Sequence, residues 1–385
     1  MSIAKKELIV SALEASANLH LKALLEDLEA SISGIFELHD RSEKPIARSF
    51  HAMGFTGVLP LILKAKKAIK KMTALALAKP DAVVLLMDSP AFNIPLAKAL
   101  RKAGFKGRII YYILPQVWVW KSSRVALLTE LCDALVGILP FEANYWPKKY
   151  FYFGNPLCSE LLRQESEDGQ SQVLTKEPKS SEAKAPQSNE AQSSQNSPSQ
   201  NKLSQHKPKS IAFLPGSRRA EIKRLMPIFK ELSKRFEEEK LLLIPAHFKE
   251  KIPEIYGDIS DFTPIFSSRE AFANSCYAFI CSGTATLEAS LFGLPHTLCY
   301  KAGKIDFLIA KMLVKTRYIG LANIILDKAG QGPISKELLQ GEVSAKALFA
   351  SFKNYDKNDF AEKSQKLKEL LSPCKQGLAA FIKGL

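Results

Sequence analysis

Two short segments carry residue types suited to holding a phosphate group. In Ile211-Ala-Phe-Leu-Pro-Gly-Ser-Arg-Arg-Ala-Glu-Ile-Lys-Arg an apolar run ends at Leu214 and Pro215-Gly216 turns the chain. A helix is expected to start near Arg219. Gly216 lets backbone approach a ligand closely, and Ser217 with the first helical amides supplies donors for phosphate oxygens. Arg218 adds a planar fork suited to a diphosphate. The competing reading is a capped helix with a solvated basic first turn, Glu221 and Arg224 serving only its electrostatics. In Cys281-Ser-Gly-Thr-Ala-Thr-Leu-Glu a second strand meets a small-residue loop and a helix. Ser282, Gly283 and Thr284 form another amide-rich seat. Glu288, one turn into the helix, has two oxygens for the two hydroxyls of a ribose; its alternative is interaction with its own helix N-terminus. Two such segments at strand ends favour a nucleoside diphosphate.

Acid–base chemistry has two candidates. Asp88 directly follows the apolar run Val83-Val-Leu-Leu-Met, where a carboxylate faces the crevice of an open α/β sheet and suits a general base. Capping the helix beside Pro90 is the alternative. Glu14, after the first apolar run, is the second carboxylate, with a solvated loop residue as its alternative; Ser16 and Asn18 suit helix capping. No G-x-G-x-x-G occurs in the first half, which weighs against NAD. The six histidines show no H-E-x-x-H or comparable spacing, so no metal is assigned, and no cofactor is expected. The six cysteines contain no Cys-x-x-Cys pair and read as buried free thiols in a reducing compartment.

The elements that must position these residues alternate between strand and helix. Expected strands in the first half are 8–12, 82–87, 109–114, 134–138 and 150–153, with helices near 19–30 and 94–103. In the second half they are 210–214, 241–244, 277–281 and 297–300, with helices near 221–239 and 284–292. Short buried strands separated by helices imply parallel sheets, hence an α/β chain of two Rossmann-like domains facing a cleft. The boundaries are 1–164 and 210–385. Between them, 165–209 is rich in Ser, Gln, Asn, Pro and Lys, with only Val173, Leu174 and Leu203 as large apolar residues. It buries too little to offset the entropy of ordering and reads as a disordered linker.

Composition bounds the partners. The 385 residues are 46% hydrophobic and 24% charged, with net charge +15, so anionic partners are expected. The linker contributes none of it, since its six acidic and six basic residues cancel. The N-terminus has no secretory pattern, and no window is long and apolar enough to span a bilayer. In Gly57-Val-Leu-Pro-Leu-Ile-Leu-Lys-Ala-Lys-Lys-Ala-Ile-Lys-Lys-Met, five lysines (Lys64, Lys66, Lys67, Lys70, Lys71) stand among apolar residues. Such a helix suits an anionic membrane surface, and equally an amphipathic helix packed on the sheet. Trp118 and Trp120 suit either a cleft lining or an aromatic strand edge.

Ten motifs in chain order carry a resemblance. They are Leu13-Glu-Ala-Ser, Met53-Gly-Phe, Asp88-Ser-Pro-Ala-Phe-Asn, Pro115-Gln-Val-Trp-Val-Trp, Ile138-Leu-Pro-Phe-Glu, Gly154-Asn-Pro-Leu, Leu214-Pro-Gly-Ser-Arg-Arg-Ala-Glu-Ile, Ser282-Gly-Thr-Ala-Thr-Leu-Glu, Leu321-Ala-Asn-Ile and Glu337-Leu-Leu-Gln. Together they resemble the lipid-A-disaccharide synthase family over nearly the whole chain except the linker. The resemblance implies an inverting GT-B glycosyltransferase of lipopolysaccharide synthesis, peripheral to the cytoplasmic face of the inner membrane. Its donor would be UDP-2,3-diacylglucosamine and its acceptor 2,3-diacylglucosamine 1-phosphate. By position Asp88 matches the family's catalytic aspartate. Arg218, Glu288 and Asn323 match residues associated with UDP binding, and Gln340 lies in the matching terminal motif. The family's first loop usually resembles Gly-Glu-Ala-Ser-Gly-Asp; here Leu13, Ala17 and Asn18 replace both glycines and the acid. Three alternatives stand beside this reading. A UDP-sugar 2-epimerase would need a carboxylate pair with His in the cleft and would have no reason for the apolar surface near Val58–Met72. A basic nucleic-acid-binding protein lacks any recognisable motif, so no nucleic-acid partner is expected. A non-enzymatic membrane scaffold would not need both anion seats.

Overall fold

The computed structural model describes residues 5–38, 45, 58–119, 122–163, 210–281, 283–303, 316–374 and 377–385. The expected linker, the Met53-Gly-Phe motif, Trp120 and Ser282 lie outside them.

The first half builds a six-stranded parallel sheet from β1 (Lys6–Ala12), β2 (Ala30–Ile35), β3 (Val83–Met87), β4 (Ile109–Tyr112), β5 (Ala134–Gly137) and β6 (Tyr150–Tyr152). Their order is β2-β1-β3-β4-β5-β6. β3 is buried at every position, as a central strand covered on both faces must be. The second half repeats the plan with β7 (Ser210–Leu214), β8 (Glu239–Leu243), β9 (Thr263–Ile265), β10 (Ser275–Cys281), β11 (His296–Tyr300) and β12 (Lys336–Leu339), ordered β12-β11-β10-β7-β8-β9. In each sheet the strand order reverses direction between two central strands, β1 and β3 in the first, β7 and β10 in the second. Loops leaving the carboxyl ends of such strands diverge to opposite faces and open a crevice.

Three strands fall outside the sequence expectation. The expected helix 19–30 stops at Asp27, and Ala30 already begins β2. β9 has three residues at a sheet edge, too few for a periodic signal. β12 reads Lys-Glu-Leu-Leu, four helix formers, yet pairs with β11 from Thr297↔Lys336 to Tyr300↔Leu339; tertiary pairing overrides local propensity there.

Apolar side chains fill both faces of each sheet. A further cluster joins the halves: Trp118, Leu139, Phe141 and Cys158 pack with Leu287, Leu291, Ile325 and Leu371. Trp118 is therefore neither cleft lining nor strand edge. It sits in a turn, buried, with its ring edge-on to Phe141 at 5.2 Å. The last helix, Leu378–Lys383, packs back on the first sheet, burying Leu378 and Ile382 and setting Phe381 4.7 Å from the Phe151 ring. No helix among the described residues is long and apolar enough to cross a membrane.

Candidate active site

Asp88 and Glu14 leave β3 and β1, the reversal pair of the first sheet, so the topology brings together two carboxylates 74 positions apart in sequence. Both line a cavity of about 1100 Å³. Arg124 and Glu142 join them from the first half, while Thr284, Leu287 and Leu321 close it from the second. Much of the wall is apolar, including Leu13, Ile62, Ile69, Phe92 and Ile138. Burial raises the Asp88 carboxyl above its ordinary value, and the Glu14 charge adds to this against a hydrogen bond from the Ser89 amide. A base tuned upward is better matched to neutral pH. Glu14 is exposed at the head of the helix Ala15–Asp27.

The backbone under Asp88 is unusual. Asp88 has φ 50° and Ser89 φ 42°, two successive non-glycine residues in left-handed conformation before Pro90. Such residues cost roughly 1–3 kcal/mol each and cluster where function requires a set geometry. The turn projects Asp88 off the end of β3 before the helix Pro90–Lys102 begins.

Glu142 ends the Ile138-Leu-Pro-Phe-Glu motif, where its residue type alone points to no role. It is almost fully buried and accepts the amides of Ile138 and Leu139 at 3.0 and 3.1 Å. Burial nevertheless pushes its carboxyl up to about 7, the two amides opposing. The departures in the first loop also have a local account. Leu13 and Ala17 are buried, and the Asn18 amide donates to the carbonyls of Ala12 and Glu14 while its Oδ1 accepts the Glu37 amide at 2.6 Å. Asn18 ties the end of β1 to the chain leaving β2.

The second half places Gly216 to Arg218, Gly283, Thr284 and Gln340 just beyond the carboxyl ends of its strands. Gly216 has φ 104°, and a Cβ there would stand 2.5 Å from Glu221 Oε2 and 3.2 Å from Cys281 Sγ. Arg218 precedes the helix Arg219–Ser233; its amide donates to Glu221 Oε2 at 3.3 Å and its guanidinium to Oε1 at 3.0 Å. Glu221 thus braces the loop from a buried position, beyond simple helix electrostatics. Arg218 is still 78% exposed, with donors left for a ligand, and Ser217 is exposed beside it. Gly283 and Thr284 are exposed at the head of the helix Thr284–Phe292. Glu288 is half-buried, which raises its carboxyl, and Oε1 accepts the Ser268 hydroxyl at 2.7 Å.

Asn323 and Gln340 differ in what they offer. Asn323 is buried and fully engaged. Its amide donates to Ser335 O and Glu337 Oε1, both at 2.8 Å, and its Oδ1 accepts the amides of Ile334 and Ser335. Glu337 in turn holds the amides of Ile319 and Gly320 at 2.9 and 3.0 Å. Gln340, at φ 53° after β12, accepts the Ala302 amide at 3.2 Å through Oε1, while its buried Nε2 has no partner among the described residues. A buried unpartnered amide costs free energy unless a ligand or water satisfies it.

The cavity thus has a carboxylate wall from one half and a helix N-terminus from the other. Gly216, Ser217, Arg218, Glu288, Asn323 and Gln340 do not line it; Gly216 to Arg218 and Gln340 follow the carboxyl ends of β7 and β12, while Asn323 bonds to residues 334–337 at the amino end of β12. Two parallel Rossmann-like sheets around one cleft are the arrangement of GT-B glycosyltransferases. Solved structures share it: MurG of Acinetobacter baumannii has TM-score 0.57 at 13% identity, covering 99% of this chain and 100% of that one. The glycosyltransferase SnogD of Streptomyces nogalater gives 0.53 at 11% identity, covering 99% and 98%.

Sequence comparison narrows the class. A family described as lipid-A-disaccharide synthetase matches residues 8–181 and 186–378. The lipid-A-disaccharide synthase of Campylobacter jejuni (strain RM1221) is 45% identical over 379 residues, covering 95% of this chain and 96% of that protein. That of Helicobacter pylori (strain ATCC 700392 / 26695) is 36% identical over 380 residues, covering 94% of each. The chain belongs to the lipid-A-disaccharide synthase family of glycosyltransferases.

Proposed function

We propose that this enzyme condenses UDP-2,3-diacylglucosamine with 2,3-diacylglucosamine 1-phosphate, releasing UDP and the β-1′,6-linked disaccharide 1-phosphate. The observation that carries the proposal is Asp88, raised toward neutrality at the reversal point of the first sheet, on a largely apolar cavity closed by the head of a helix from the second half. In this reading Asp88 takes the proton from the acceptor 6-hydroxyl. The oxygen attacks the donor's anomeric carbon, the bond to the diphosphate breaks, and inversion follows from one displacement with no covalent enzyme intermediate. Glu14 sets the local negative field beside Asp88 and orients the acceptor.

The departing UDP would be held along the edge of the second sheet. Gly216, Ser217, Gly283 and Thr284 supply amides and hydroxyls, and Arg218 supplies a charged fork. Ser282 belongs to the same seat by sequence. Glu288 accepts from the ribose, and the unpartnered Gln340 amide gains an acceptor. Asn323 acts at one remove, through Glu337 and the 319–320 backbone. The apolar walls suit acyl chains.

We also assign the helix Val58–Ala78 to an anionic bilayer surface on the cytoplasmic side. Ala68, Met72 and Ala76 pack inward, while Leu63 is 62% exposed among exposed Lys64, Lys66, Lys67, Lys70 and Lys71. Ile62 belongs both to this face and to the cavity wall, a route by which acyl chains enter without leaving an apolar environment. Two domains, 1–164 and 210–385, joined by 165–209 and with the last helix returning to the first, fit the division into two sheets. The test is incubation of the protein in detergent with both acylated sugars, following UDP and disaccharide phosphate by mass spectrometry. Absence of both products from folded protein would overturn the proposal.

A further inference from the structure

We propose that Asn93 is a positioning residue for Asp88, its side-chain amide locking the left-handed turn that aims the carboxylate into the cavity. The inference rests on the reading of Asp88 as the base. The turn at Asp88–Ser89 is one that non-glycine residues adopt only where their surroundings over-determine it. Asn93 supplies the largest share of that determination. It is 0% exposed, and its Nδ2 donates to both carbonyls flanking the bend, Met87 O at 3.0 Å and Asp88 O at 2.8 Å. Its Oδ1 accepts the hydroxyl of Ser11 at 2.6 Å, a fully buried residue of β1. The Tyr111 hydroxyl, reaching from β4, donates to the same Asp88 carbonyl at 2.7 Å. Amides of Phe92 and Asn93 both close on Ser89 O at 3.0 Å.

The turn is therefore tied to β1, β3 and β4 at once. Only a carboxamide offers two donors and an acceptor in one plane, so aspartate, serine or leucine at 93 would each leave part of this set unmade. The placement also follows from the local fold. Asn93 lies in the first turn of the helix begun by Pro90, and helical side chains lean toward the N-terminus. That lean brings its amide back over the bend. None of these bonds touches the carboxylate itself, whose backbone hydrogen bond comes from the Ser89 amide, so acceptor capacity remains for a substrate hydroxyl.

The test measures kcat, KM for both sugars and melting temperature for the full chain. The variants are Tyr111→Phe, Asn93→Ala, Asp88→Ala, and Asp88→Ala combined with each of the first two. Tyr111→Phe removes a single hydroxyl, so it carries the test even where Asn93→Ala fails to fold. Expected are losses in kcat of about tenfold for Tyr111→Phe and about 10- to 100-fold for Asn93→Ala, the scale of a displaced reacting group. KM should stay within about twofold for each sugar, and neither change should lower the residual rate of Asp88→Ala further. The same fractional loss on the Asp88→Ala background would overturn the inference, as would wild-type kcat in both single variants. An Asp88→Ala enzyme as fast as wild type would instead remove the reading of Asp88 as base.

Discussion

Replacing Gly216 with alanine isolates the contribution of one backbone position to the nucleotide seat. At φ 104° an alanine is strained by roughly 1–3 kcal/mol. Its methyl carbon would also stand 2.5 Å from Glu221 Oε2, 3.1 Å from Glu221 Cβ and 3.2 Å from Cys281 Sγ. The carboxylate end can swing away, but that oxygen accepts the Arg218 amide at 3.3 Å, and the other holds the Arg218 guanidinium at 3.0 Å. Relief of the clash therefore unties the loop that presents Ser217 and Arg218. Loss of one charge-assisted hydrogen bond to a diphosphate is worth about 1.5–3 kcal/mol, or about 10- to 100-fold in Kd. Titration calorimetry with UDP, together with the melting temperature at saturating UDP, measures the effect. Gly330→Ala is the control: it has φ 77° but nothing within 4 Å of an added Cβ. It should share the backbone cost while leaving UDP affinity within about twofold, well short of a tenfold change. Gly216→Ala binding UDP as tightly as wild type would refute the account of this seat.

Asp88→Asn should lower kcat by about 10²- to 10⁴-fold while raising the melting temperature near neutral pH. Burial lifts the folded carboxyl above its unfolded value, so stability tied to its proton is present at acid pH and lost as pH rises through the folded value. Asparagine removes that loss and also tolerates φ 50°; a variant less stable than wild type at pH 7 would contradict this. For Glu142, raised from 4.5 to about 7, the same sign costs the fold about 3 kcal/mol as pH climbs from 4.5 past 7. Thermal melts between pH 5 and 8 should fall more steeply for wild type than for Glu142→Gln, and parallel curves would count against the assignment. Changing Lys67, Lys70 and Lys71 together to Gln should weaken sedimentation with anionic vesicles by about 100-fold, at about 1 kcal/mol per lysine. Unchanged sedimentation would remove the membrane assignment for that helix.

Local pattern was enough for much of this molecule. The segments 211–214 and 83–87 are continuous apolar runs, and their neighbours in sequence, Gly216 to Arg218 and Asp88, are fixed to the strand ends by chain connectivity alone. Ten contiguous motifs, read in order, sufficed for the family, and several of them, such as those at 88–93, 214–222 and 282–288, mark the point where a strand gives way to a helix. What could not be read there depends on chain segments far apart. β12 is a strand only because β11 lies beside it, and Trp118 is buried in a cluster to which both halves contribute. Asn323 carries the same carboxamide in any sequence, yet the structure spends all of it on residues 334–337. Glu142 has a raised carboxyl because burial removes its water, which no spacing records. The sequence by itself determined which chemical groups stand at the strand ends. Tertiary structure alone decided which of them meet, since strand order brings Glu14 beside Asp88 and a buried amide from residue 93 holds the turn at Asp88–Ser89.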